Sequence, residues 1–118
     1  MNQRRTATKQ GMCLLVYPTK DMEAAKRLFQ AVLGVEPYVD SSYYAGFRTG
    51  DLEIGIDPNG SSSGPIAYWA VDDIKASLQR LLDAGAELVQ DVRSVGPGRQ
   101  IAQVKDAEGS TVGILQDS

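Results

Sequence analysis

A chain of 118 residues, 42 % hydrophobic and 23 % charged, is long enough to bury a core without disulfides and short enough for one domain. Its net charge of −3 and isoelectric point near 4.8 argue against nucleic acid as the main partner, because phosphate binding needs clustered cations. The complete absence of histidine excludes Ser-His-Asp and Cys-His nucleophile sites and removes the commonest metal ligand and neutral-pH base.

The single cysteine, Cys13, rules out an intrachain disulfide and favours a reducing compartment. The start, MNQRRTATKQG, is basic and polar and does not read as a signal peptide. No apolar run approaches membrane-spanning length. A soluble, cytoplasmic protein with no membrane partner is expected. Residues 1–10 are expected to form a flexible tail before one domain spanning 11–118.

In chain order, Met12 to Tyr17 reads as a buried strand that Pro18 stops. Asp21 is placed as an N-cap. Met22 to Leu33 reads as an amphipathic helix with Ala25, Leu28, Phe29 and Val32 on its inner face, and Gly34 ends it. Strand-like runs follow around Pro37 to Asp40, Tyr43 to Thr49 and Asp51 to Asp57. The turn-rich stretch PNGSSSGP, Pro58 to Pro65, reads as a mobile loop.

The plan then restarts. Pro65 to Val71 is a strand, Asp73 an N-cap, and Ile74 to Ala84 a helix with Ile74, Leu78, Leu81 and Leu82 inward, stopped by Gly85. Strands are expected near Glu87 to Val95, Gln100 to Lys105 and Thr111 to Leu115. Each half therefore reads β-α-β-β-β, the first over about 11–57 and the second over about 65–116, with a loop at 58–64. Asp21 and Asp73 lie 52 positions apart, as do Leu14 and Ile66. IGI at Ile54 matches VGI at Val112, 58 positions later. An ordered internal repeat is the simplest account.

These stretches carry a resemblance. VYPTKDMEAAKRLFQAVLGVEP, IAYWAVDDIKASLQRLLDAGAELV and VKDAEGSTVGILQ, in that order, resemble the vicinal oxygen chelate superfamily of glyoxalase I, bleomycin resistance proteins, fosfomycin resistance enzymes and extradiol dioxygenases. Ala107 stands where that family's closing turn has proline. The resemblance implies an α+β fold. Two βαβββ repeats would form a curved mixed β-sheet cleft with helices outside, and homodimers are common. Metal-dependent members take ligands from the first strand of each half and from the closing strand, and some also use the matching strand of the first half. Carried over by register, those positions are Leu14, Ile66, Gly55 and Gly113. None has a side-chain donor, so no metal and no cofactor is expected.

Gly55 and Gly113 pose a question, since glycine inside a strand costs about 0.5–1 kcal/mol relative to alanine. One answer is room: missing side chains over an apolar floor of Leu14 and Ile66 would leave a pocket for an organic ligand. The other is strand curvature or a close backbone contact. Tyr44, Phe47, Tyr68 and Gln103 complete the expected ligand-binding set. Trp69 is expected in the core. Glu53, Asp57 and Tyr68 are the candidates for catalysis, with ordinary solvated rim charges the blander reading of both carboxylates. Arg99 is a candidate for the cleft mouth or an exposed loop cation.

Three functions stay open. The first is metal-free binding of a small organic molecule, an antibiotic or metabolite. The second is a metal-independent lyase or isomerase using a cleft carboxylate or tyrosine. The third is a dimeric structural or regulatory subunit with a vestigial cleft.

Overall fold

The computed structural model describes residues 11–60 and 64–118. The expected flexible tail at 1–10 and the middle of the Pro58 to Pro65 loop lie outside them. Strand β1 is Gly11–Pro18, α1 Met22–Leu33, β2 Val39–Ser41, β3 Tyr44–Thr49 and β4 Leu52–Asp57. The second half repeats the order: β5 Ile66–Ala70, α2 Ile74–Asp83, β6 Glu87–Ser94, β7 Arg99–Lys105 and β8 Thr111–Asp117. The fold is α+β, built from two βαβββ repeats. The described residues divide into two compact units, one within Leu14–Ile66 and the other Ala67–Ser118 with residues 11–13.

In the Leu14–Ile66 unit the strands run in the order β2-β3-β4-β1. β1 and β4 are parallel, as the helical crossover between them requires, and the other pairs are antiparallel. Asp21 caps α1 as expected, its carboxylate accepting the Ala24 N–H at 3.0 Å. Gly34 ends the helix at φ 73°, where a side chain would be strained. Ala45, Phe47, Ile54 and Ile56 form the core, with Met22, Ala25, Phe29 and Leu33 of α1 packed on it. The Phe29 ring lies 4.8 Å from Tyr17 and 6.2 Å from Phe47.

One expectation about α1 is corrected here. Ala25 and Phe29 face inward, but Leu28 and Val32 are 59 % and 70 % exposed. The apolar arc of the helix is wider than the core beneath it.

In the second unit the order is β5-β8-β7-β6, again with one parallel pair, β5 and β8. Asp73 caps α2 by accepting the Ala76 N–H at 3.1 Å. Ile74, Leu78, Ala102, Val104 and Ile114 form this core, with Leu81 and Leu82 packed against it. Trp69, expected inside, is 44 % exposed. α2 lies across β6, β7 and β8, which leaves the β5 tryptophan only half covered. No helix among the described residues is long and apolar enough to cross a membrane.

Candidate functional site

The face of each sheet opposite its helix carries most of the residues singled out by the sequence. In the Leu14–Ile66 unit, strand alternation turns Tyr44, Gly46, Glu53 and Gly55 to that face. Glu53 is only 5 % exposed, so it is no solvated rim charge. In register it sits beside Leu14 of β1 and Arg48 of β3. The Tyr44 hydroxyl donates to Glu53 Oε2 at 2.8 Å, and a buried carboxylate needs such partners.

Two glycines make this arrangement possible. Gly46 and Gly55 are direct cross-strand partners. A Cβ at Gly55 would overlap the Tyr44 ring, coming within 2.8 Å of its Cζ. A Cβ at Gly46 would come within 3.2 Å of Glu53 Oε2 and 3.1 Å of Tyr38 Cε1. The tyrosine ring and the carboxylate lie flat on a stretch of sheet without side chains. At its margin the Arg48 guanidinium stands 4.3 Å over the Tyr38 ring, a cation–π contact.

The second unit has a counterpart. Tyr68, Gly113 and Gln103 form one register row across β5, β8 and β7. Two strand spacings of about 4.8 Å separate the outer members. The Tyr68 ring spans the gap because the middle strand offers no side chain: a Cβ at Gly113 would lie 2.8 Å from Tyr68 Cγ. Its hydroxyl accepts from Gln103 Nε2 at 2.7 Å. Tyr68 is 4 % exposed. Cys13 Sγ donates to the Tyr68 carbonyl at 3.7 Å.

The structure thus answers the question of the two glycines. The room they leave is occupied by a tyrosine ring in each half, not left open. What each glycine meets is a neighbouring side chain and not backbone, so the close-backbone-contact reading is corrected together with the empty-pocket reading.

Other expectations also change. Phe47 was placed with the lining residues, but it is fully buried in the core under α1. It is three positions from Tyr44, and alternation puts odd spacings on opposite faces. Asp57 serves a turn, its Oδ1 accepting the Asn59 N–H at 2.8 Å. Arg99 is engaged by Asp117 through both carboxylate oxygens, at 2.7 and 3.1 Å. Leu14 and Ile66 are buried as expected. Gly46 escaped the sequence reading, although YYAGF shows the same mid-strand glycine as the other two stretches.

The positions that would hold a metal by resemblance are Leu14, Gly55, Ile66 and Gly113, and none has a donor atom in its side chain. Among the described residues no group of three or more Cys, Asp or Glu side chains gathers as a metal site. The residues do not fit the family's metal centre.

Among solved structures, the fold is similar to a glyoxalase/bleomycin resistance protein/dioxygenase superfamily member from Vibrio splendidus 12B01, at TM-score 0.70 and 17 % identity, covering 93 % of this chain and 100 % of that one. It is similar to methylmalonyl-CoA epimerase from Mycobacterium tuberculosis, at TM-score 0.65 and 18 % identity, covering 92 % and 88 %. It also resembles a methylmalonyl-CoA epimerase in complex with methylmalonyl-CoA and NH4+, at TM-score 0.71 and 14 % identity, covering 94 % and 96 %. Identities this low establish the fold alone. A search of the curated proteins found no match. The family model for the Glyoxalase/Bleomycin resistance protein/Dioxygenase superfamily matches residues 11–114, nearly the whole described chain, and the protein belongs to that superfamily.

Proposed function

We propose that this protein binds a small organic molecule without a metal, on the sheet faces that carry Tyr44 and Tyr68. The observation that carries the reading is the Glu53–Tyr44 pair. A buried carboxylate and a tyrosine hydroxyl lie together beside Leu14, Gly46 and Gly55, with Arg48 as the carboxylate's cross-strand neighbour. A few fixed polar groups on an apolar wall are what ligand recognition uses. Tyr68 with Gln103 offers the neutral version of the same device. The epimerase structure similar in fold holds an acyl-CoA, which supports an organic ligand and identifies none. The protein is proposed to act as a cytoplasmic homodimer.

Screening antibiotics and metabolites by thermal shift, with and without EDTA, tests this reading. A ligand that stabilises the protein equally in both conditions and loses affinity in Tyr44→Phe or Gln103→Ala supports it. Stoichiometric metal in protein purified without a His tag, or binding abolished by EDTA, overturns the metal-free part.

The burial of Glu53 favours a second reading, a metal-independent isomerase or lyase. Glu53 would accept a proton from carbon, with Tyr44 as its positioning residue. Solvent deuterium exchange into a bound acyl thioester, lost in Glu53→Gln while binding persists, would establish it. The tyrosine rings over the glycines also suit a regulatory subunit whose cleft is filled by its own side chains. A protein that binds nothing across the screen fits that third reading.

A further inference from the structure

Arg48 and Glu53 are direct register partners on β3 and β4, so their side chains leave the same face of the sheet. Opposite charges in that relation attract across the strands, yet Arg48 makes no ion pair among the described residues. Glu53 Oε2 accepts from the Tyr44 hydroxyl instead. The same oxygen lies over the bare backbone of Gly46, 3.2 Å from where a Cβ would stand. The Arg48 guanidinium turns to Tyr38 and stands 4.3 Å over its ring.

Tyr38 is held in place for this contact. Its backbone N–H donates to the Gly46 carbonyl at 2.8 Å, and its ring comes within 3.1 Å of the Cβ position of Gly46. A side chain at position 46 would crowd both the ring and the carboxylate. The glycine therefore seats the two charges of this face apart, the anion with Tyr44 and the cation with Tyr38.

A ring against the face of a guanidinium takes none of its N–H groups, which point outward in the guanidinium plane. Those groups meet no acceptor among the described residues, and Arg48 is exposed. Stacking has already removed part of the side chain's rotamer freedom, so less is lost when a ligand binds. The planar fork matches the two oxygens of a carboxylate. A monoanion also suits the charges present. Glu53 is buried one strand away, and a phosphate dianion would meet its repulsion with a single cation to offset it.

We propose that the ligand of this face is an organic monoacid whose carboxylate is held bidentate by Arg48, with Tyr38 as the positioning residue and the uncharged part of the ligand against the Tyr44 ring. This rests on the small-molecule reading above and deepens it by naming the ligand class and the residue that selects it.

Isothermal titration with matched acids and amides tests it, phenylacetate against phenylacetamide and hexanoate against hexanamide, with far-UV circular dichroism confirming that each variant is folded. The acids should bind at least about tenfold more tightly than the amides, as a charge-assisted bond implies. Arg48→Met keeps the aliphatic stem and removes the fork. It should bring the acids down to the level of the amides and leave the amides unchanged. Arg48→Lys keeps the charge without the fork and should retain only part of the preference. Tyr38→Leu should narrow the acid-to-amide ratio while amide affinity stays the same, which a general loss of structure would not do. Acids that bind no better than amides, or that bind Arg48→Met as tightly as the parent protein, overturn the proposal and leave binding of an organic molecule standing. Silence from both series overturns it as well, and the wider ligand screen then decides separately whether the small-molecule reading falls with it.

Discussion

Tyr68 lies over Gly113, its register partner on the neighbouring strand, in the space that a side chain at position 113 would fill. Gly113→Ala therefore forces the ring aside and disturbs the Gln103 hydrogen bond. Leucine normally favours a strand over glycine, yet Gly113→Leu should destabilise by about 1–3 kcal/mol, as overpacking does. Gly55→Leu should do the same beneath Tyr44. Thermal melts of both variants check this. Gly113→Ala combined with Tyr68→Ala should recover part of the loss from the glycine substitution, because the added methyl then has no ring to meet.

Removing the two tyrosine hydroxyls should have unequal costs. Tyr68→Phe removes a neutral hydrogen bond to Gln103, worth about 0.5–1.5 kcal/mol. Tyr44→Phe takes a donor from a buried carboxylate, and bonds to charged groups are worth about 1.5–3 kcal/mol. Urea unfolding of the two variants side by side should rank Tyr44→Phe as the more damaging.

The two capping aspartates should behave alike. Asp21→Ala and Asp73→Ala each remove one carboxylate acceptor from a helix N-terminus, at a cost of about 0.5–2 kcal/mol. They belong to separate helices and share no partner, so the double variant should lose about the sum. Chemical denaturation of the three variants measures it.

Lys26 ties α1 to β2, its ammonium 2.9 Å from Glu23 and 3.0 Å from Asp40. Those bonds, Glu23 first and Asp40 next, raise its pKa above the ordinary 10.5. A raised folded-state value means that the folded protein holds the proton more tightly than the unfolded chain. The stabilisation is complete below the ordinary value and is lost as pH rises through the raised one. Lys26→Met should therefore lower the melting temperature slightly at neutral pH. The difference from the parent protein should vanish in strongly alkaline buffer.

Local signals carried most of the fold. The caps at Asp21 and Asp73 and the stops at Gly34 and Gly85 depend on a few adjacent residues, and Gly34 and Gly85 do sit at positive φ. The repeat was legible because those signals recur in the same order. The candidate site was legible in part. Period-two alternation brought Tyr44, Gly55, Tyr68, Gln103 and Gly113 to the expected faces. It could not tell that tyrosine rings fill the space over the glycines, because a ring's reach across strands depends on register that no local pattern encodes. Phe47 was placed beside Tyr44 against the parity of its own strand. Leu28, Val32 and Trp69 read as core because hydrophobicity shows that a residue can be buried, not that anything covers it.

The ring over glycine in each half also shows where the internal repeat ends. Gly55 and Gly113 occupy equivalent places in the repeat, on β4 and β8, each beside the parallel first strand of its half. Their covers are not equivalent. Tyr68 comes from the first strand of its half, where the matching residue opposite Gly55 is Val16. Tyr44 comes from β3, on the other side of Gly55. The two halves therefore reach the same cover by different routes, Tyr68 from the parallel first strand and Tyr44 from the antiparallel β3, so the repeat of the backbone does not extend to the side chains that fill it.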